Sequence, residues 1–168
     1  MERFWNIIYY FIYLFDCNLH ILFTKASPIM FIYKLPFAKK HFKKKGYDPE
    51  ELVNRMWTDP EIGIGGAFVT GAITGLILLV CFAIYNYYVT FTHQAYNFTP
   101  YPFFISCAIT FGFNYFILYR DKKYHKYFKE FNKKSRKWKI KWAIISFVTI
   151  LGMLFLVISS FIVPRYIE

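Results

Sequence analysis

The chain has 168 residues, a formal net charge of +11, 57% hydrophobic residues and a mean hydropathy of +0.29. It is therefore too apolar for an ordinary soluble domain, and the composition predicts a single-unit membrane protein. Nearly all Lys and Arg residues fall in two blocks beside apolar segments, a placement that argues against nucleic acid binding. Three cysteines without Cys-x-x-Cys spacing predict neither a disulfide framework nor a zinc site: Cys17, Cys81 and Cys107.

The first segment, residues 4–23, is long enough to span a membrane but carries polar residues at helical spacing. Asn6, Tyr9, Tyr13, Asp16 and His20 form one stripe opposite a broad apolar face. This pattern predicts an interfacial helix over residues 1–25, with a fourth span as the alternative. Asp16 and His20 are a candidate relay pair for protons or ions, although a surface helix would direct both toward headgroups and water.

Residues 26–59 form a predicted basic loop that contains a short helix. Its charge is concentrated in one lysine cluster, Lys39, Lys40, Lys43, Lys44 and Lys45. The triplet Asp-Pro-Glu occurs at residues 48–50 and again at 59–61, and each copy places a capping side chain before a proline suited to the first helical turn. We therefore expect each triplet to start a helix, the first ending near Trp57.

The second triplet opens the segment that organises the chain, a predicted transmembrane helix over residues 60–89 that we call the hub helix. Residues 62–88 contain no charged side chain. Small residues recur every four positions at Gly63, Ala67, Gly71 and Gly75, and Gly66, Thr70 and Thr74 lie one step round the helix. Such a stripe allows another backbone to approach closely, so we expect it to pack against the other spans or a partner's helix.

Two further spans are predicted after an uncharged turn at residues 90–102. The second span covers residues 103–119 and the third covers 142–163, ahead of a tail at 164–168. Asn114 would lie near the bilayer midplane, at a depth similar to Thr74 and to Gly152 of the third span. An amide there should face the bundle and bond to Thr70 or Thr74; the alternative is a conducting or substrate-binding role.

The segment between these spans, residues 120–141, holds eleven Lys and Arg residues against two acidic ones. With the first lysine cluster and the uncharged turn, it places both basic loops in the cytoplasm under the positive-inside rule. Aromatic residues interleave with the lysines, which is typical of a helix on an anionic leaflet. Anionic lipid or an acidic protein partner is therefore expected at Lys133, Lys134, Arg136 and Lys137, as at the first cluster.

The string from residue 113 to residue 139 reads FNYFILYRDKKYHKYFKEFNKKSRKWK and precedes the last span. With a short aromatic N-terminal helix and three spans, this layout resembles small uncharacterised polytopic membrane proteins of Bacteroidota. The resemblance does not imply any particular activity, and we expect the protein in a bacterial inner membrane. It points at most to genes of accessory, defence or toxin-immunity character.

Together these patterns predict an all-α integral membrane protein with three transmembrane helices and an N-terminal interfacial helix, or four spans. The sequence contains no nucleophile elbow, phosphate-binding loop, dinucleotide glycine pattern or metal-ligand spacing, so we expect no enzyme, cofactor or metal. The predicted function is a subunit or accessory, immunity-type factor of a membrane protein complex that binds lipids and other subunits or itself. The alternative is an oligomeric channel or membrane-disrupting effector.

Overall fold

The computed structural model describes residues 1–28, 32–33, 35–46, 48–59, 63–92 and 101–163, and its regular elements are all helical. In chain order the helices are α1 (Glu2–Ala26), α2 (Pro36–Lys44), α3 (Pro49–Thr58), α4 (Ile64–Phe91), α5 (Tyr101–Asn114), α6 (Lys123–Asn132) and α7 (Arg136–Ile162). A π-helical turn, Tyr115–Tyr119, and a 3-10 turn, Arg120–Lys122, join α5 to α6.

Four helical segments among the described residues are long and apolar enough to cross a membrane. They are α1, α4, the segment Tyr101–Asn132 and α7. The predicted fold class is confirmed: the chain is an all-α membrane protein with three or four spans. It divides into two compact units, one formed by Met1–Tyr9 with Gly71–Glu168 and the other by Tyr10–Thr70.

Capping side chains start two of the helices. The Asp48 carboxylate accepts a hydrogen bond from the Glu50 backbone N–H at 2.9 Å, and Pro49 occupies the first turn of α3. The Ser135 hydroxyl accepts from the Trp138 N–H at 3.3 Å and starts α7. Because this cap lies well before Trp142, α7 begins six residues earlier than the sequence predicted.

The hub helix, α4, extends from Ile64 to Phe91 rather than over residues 60–89. Asp59 caps the end of α3, since its N–H donates to the Arg55 carbonyl at 2.9 Å, and the Asp59 carbonyl accepts from the Gly63 N–H at 2.8 Å. Of the second Asp-Pro-Glu triplet, Pro60 and Glu61 lie outside the described residues. The same holds for residues 93–100 of the predicted turn and for the predicted tail, 164–168.

The predicted second span and the basic segment after it are less regular than expected. The α-helix ends at Asn114, and the π-helical turn completes the predicted span to Tyr119. Asp121 and Lys122 then have positive φ angles of 59° and 50°, which L side chains rarely adopt. This kink, together with the break between α6 and α7, divides the amphipathic segment predicted over residues 120–141.

The polar stripe of α1 is buried over its first part, whereas Asp16 and His20 are half-buried. Asn6 and Tyr9 are buried in the first unit, and Tyr13 and Thr24 are buried in the second. In the second half of α1 the exposed side chains include the polar Asn18 and four large apolar ones, Phe15, Leu19, Leu22 and Phe23. This arrangement is favourable where lipid surrounds the helix, because polar groups then need partners within the protein.

Candidate functional site

The small residues at the start of α4 are packed tightly against the end of α3. A Cβ atom added at Gly63 would overlap the carbonyl oxygen of Asp59, and one added at Gly65 would lie 2.7 Å from the carbonyl oxygen of Trp57. The Trp57 ring lies 3.1 Å from the same position at Gly65. Glycine is therefore required here because two segments of backbone approach each other closely.

The later part of the same stripe has open surroundings. A Cβ atom added at Gly71 or Gly75 would meet no described atom within 4 Å, and the same is true of Gly152 on α7. Ala67 and Gly71 are exposed. Within the described part of the chain, the predicted packing of Gly71, Gly75 and Gly152 against other spans is therefore not made.

Asn114 connects α5 to α4 inside the first unit. Its Nδ2 atom donates to the Thr74 hydroxyl at 3.0 Å, and only 3% of the residue is exposed. Thr74 is one of the two partners named from the sequence. The other, Thr70, donates to the Gly66 carbonyl of its own helix at 2.8 Å. The Asn114 Oδ1 atom is buried and accepts no hydrogen bond from a described residue.

Asp16 and His20, the candidate relay pair, both contact Trp57 in the second unit. The Trp57 indole N–H donates to the Asp16 carboxylate at 2.9 Å, and the Trp57 and His20 rings stack with centroids 4.3 Å apart. His20 Nε2 lies 3.0 Å from the Thr24 hydroxyl. Both residues are described, and no hydrogen bond joins Asp16 to His20. Each of them contacts Trp57 instead of the other.

Trp57 had no role in the sequence analysis beyond marking the end of a helix. It anchors α3 to α1, and a second bond supports it, because the Tyr13 hydroxyl donates to the Thr58 carbonyl. Its ring also contacts the position where Gly65 lacks a side chain. Contacts between residues about forty positions apart cannot be read from local sequence spacing. The only hint that Trp57 has a packing role was the presence of a tryptophan in a short polar helix.

The basic residues expected to bind lipid or a partner are mostly exposed. Lys40, Lys44 and Lys45 are exposed, as are Lys133, Arg136 and Lys137, whereas the side chains of Lys39 and Lys43 lie outside those described. Lys134 lies 3.3 Å from the Glu130 carboxylate. The cations of each block are therefore largely available to an anionic surface.

The sequence analysis also missed a set of contacts that fasten the N-terminus of α1 to α6. Lys123 pairs with Glu2 at 2.8 Å, and Arg3 pairs with Glu130 at 2.6 Å. The Asn6 amide donates to the Ile117 carbonyl in the π-helical turn at 3.1 Å. Partly exposed ion pairs stabilise a fold little, but they fix which surfaces meet.

No group of three His, Cys, Asp or Glu side chains that could hold a metal ion occurs among the described residues. The three cysteines are free thiols. In comparisons with known proteins, no family model, curated sequence or solved structure matches this chain. The best-defined candidate site is thus the open stretch of α4 at Gly71 and Gly75, beside the internal Asn114–Thr74 contact.

Proposed function

We propose that this protein is a non-enzymatic subunit or accessory factor of a membrane protein complex, a class that includes immunity-type factors. A helix of another chain docks on α4 at Gly71 and Gly75. The observation that carries this proposal is that both glycines lie in a long apolar helix with no described atom within 4 Å of their Cβ positions.

The physical argument rests on how helices associate in lipid. The hydrophobic effect does not drive apolar helices together there, so close van der Waals contact between backbones must do so. Small residues four apart permit that contact, and on α4 the chain's own described helices leave two of them uncovered. A partner helix supplies the missing contact.

The proposed location is the inner membrane of a bacterium, with both basic segments in the cytoplasm. The lysine-rich residues 39–45 and 120–141 flank apolar helices, and the connection after α4 contains no Lys or Arg. Exposed cations such as Lys40 and Arg136 then lie near anionic headgroups or an acidic subunit. No observation favours the channel alternative, because Asn114 is buried and bonds within the chain.

Co-purification of the tagged full-length protein in mild detergent tests this proposal. We expect Gly71→Leu to reduce recovery of a bound subunit by about tenfold, the effect of losing ~1.4 kcal/mol of binding free energy. Expression and melting temperature should not change, because a Cβ atom added at Gly71 meets no described atom within 4 Å.

The matched control is Gly112→Leu, since Gly112 of α5 also has no described atom within 4 Å of its Cβ position. This variant should retain the subunit. Equal retention by both variants would contradict docking at Gly71. A purified homo-oligomer that leaks ions from vesicles, with the leak abolished by Gly71→Leu, would instead establish the channel alternative.

A further inference from the structure

Cys81 of α4 and Cys107 of α5 are free thiols to which the proposed function gives no role. Both belong to the first compact unit, and both side chains are half-buried rather than fully exposed. The third cysteine, Cys17, is buried and belongs to the other unit. The hydrogen bond between α4 and α5 indicates how the first two thiols are placed.

The hydrogen bond from Asn114 to Thr74 fixes the register of these two helices. Thr74 and Asn114 lie at one level of the pair, because the Asn114 Nδ2 atom is 3.0 Å from the Thr74 hydroxyl. As consecutive spans, α4 and α5 run in opposite directions. A residue seven positions after Thr74 is therefore level with a residue seven positions before Asn114. Those two residues are Cys81 and Cys107.

The two cysteines also lie on the helix faces that carry this hydrogen bond. Seven residues complete almost two turns of an α-helix, so the directions of two side chains seven apart differ by only about 20°. Cys81 is therefore on the same face of α4 as Thr74, and Cys107 is on the same face of α5 as Asn114. Their common level is about 10.5 Å along the helices from the hydrogen bond.

Burial along α5 supports this placement. Thr110 lies between Asn114 and Cys107 on the same face, and it is 0% exposed. Its neighbours in sequence, Ile109 and Phe111, are 56% and 62% exposed. The face of α5 that carries Asn114 therefore stays covered for a further turn, up to the residue that lies one turn from Cys107.

The separation of packed helices suits a disulfide at this level. The axes of helices in contact are about 8–10 Å apart, and each Cα atom lies about 2.3 Å from its axis. Two Cα atoms that face each other are then about 4–6 Å apart. Disulfides join Cα atoms about 4.4–6.8 Å apart. A bond between the sulfur atoms of Cys81 and Cys107 therefore requires no large movement of either helix.

We propose that Cys81 and Cys107 are a redox pair that closes to a disulfide between α4 and α5. The oxidant is an organic disulfide. Both S–H bonds break and one S–S bond forms, while the two electrons and two protons pass to the oxidant, which leaves as two thiols.

The position of the pair along α4 fits such an oxidation. Cys81 is nearer than Thr74 to the end of α4 at Phe91, where the uncharged connection begins. In the orientation proposed above this connection lies outside the cytoplasm, where disulfides persist. That location rests on the proposed function, whereas the pairing rests only on the contacts and burial of α4 and α5.

Oxidation of the full-length protein in lipid vesicles by dithiodipyridine tests the pair. This membrane-permeant disulfide releases one thiopyridone when it attaches to a thiol, and a second when a neighbouring thiol displaces it. We expect Cys81 and Cys107 both to lose their reaction with maleimide and to keep no pyridyl group. Their peptides should be joined in digests of the monomer, and dithiothreitol should restore both thiols.

The matched control exchanges two neighbouring residues of α5. Cys107→Ala combined with Ala108→Cys keeps the composition of the chain but moves the thiol about 100° round the helix, to an exposed position. In this variant Cys81 and the introduced thiol should each keep a pyridyl group, and no bond should join α4 to α5.

Pyridyl groups retained on both Cys81 and Cys107, unreacted thiols, or a disulfide to Cys17 or to a second chain would overturn the proposal. Closure of the control variant as fast as the parent protein would also overturn it, because the bond would then not depend on the shared face. None of these outcomes bears on whether Gly71→Leu loses a subunit, so the two proposals fail separately.

Discussion

Glycines near the start of the hub helix and glycines further along it differ in their surroundings. Gly63 and Gly65 meet the carbonyl oxygens of Asp59 and Trp57, whereas Gly71 and Gly75 meet no described atom within 4 Å. Spacing of small residues therefore indicates where a close approach is permitted. It does not indicate whether the approach is made or which chain makes it.

The largest expected effect is on the crowded end. Gly65→Leu should lower the free energy of unfolding by about 3 kcal/mol, the upper part of the usual range for overpacking, because its Cβ atom would lie 2.7 Å from the Trp57 carbonyl oxygen. Denaturant unfolding in mild detergent measures it. Gly71→Leu is the matched control, expected within about 0.5 kcal/mol of the parent protein. Similar losses of stability at both positions would contradict the difference in packing between Gly65 and Gly71.

Trp57→Phe tests how much the hydrogen bond from Trp57 contributes to stability at the crowded start of α4. Phenylalanine retains an aromatic ring beside His20 but cannot donate to the Asp16 carboxylate. Hydrogen bonds to charged groups contribute about 1.5 kcal/mol at the lower end of their range, which suits a partly buried pair. We expect a loss of this size in denaturant unfolding.

A double-mutant cycle with Asp16→Ala provides the control, because the two changes should couple if they remove one interaction. Additive losses from Trp57→Phe and Asp16→Ala would show that Trp57 acts through packing alone. In that case the crowding at Gly65 would not depend on the hydrogen bond that fixes the indole.

Local patterns predicted the elements of the fold but not their contacts. The charge-free run at residues 62–88 identified the hub helix, and Asp48 with Pro49 identified the start of α3. These signals are local because capping and apolar length act within a few residues. The stripe on α1 was recognised by its period, but its direction depends on what packs against it.

The contacts of the candidate site that the sequence did not predict join residues far apart in the chain. Glu2 meets Lys123, and Asp16 meets Trp57, and neither pair has a spacing that a single sequence marks. The left-handed Asp121 and Lys122 were equally unpredictable, since neither is glycine and both are exposed.

The smallest expected effect concerns the hydrogen bond between Asn114 and Thr74, beside the open glycines. Thr74→Val removes the acceptor that the Asn114 amide uses and should cost about 0.6 kcal/mol, the average for such bonds in membrane proteins. Asn114→Leu combined with Thr74→Val should cost less than Thr74→Val alone, because Asn114 Oδ1 accepts no hydrogen bond from a described residue and the double change removes the buried Asn114 amide. Unfolding in mild detergent compares the three proteins. If the double variant lost several kcal/mol of stability, Asn114 would have a polar partner besides the Thr74 hydroxyl. The open side of α4 would then lie next to a polar site inside the protein.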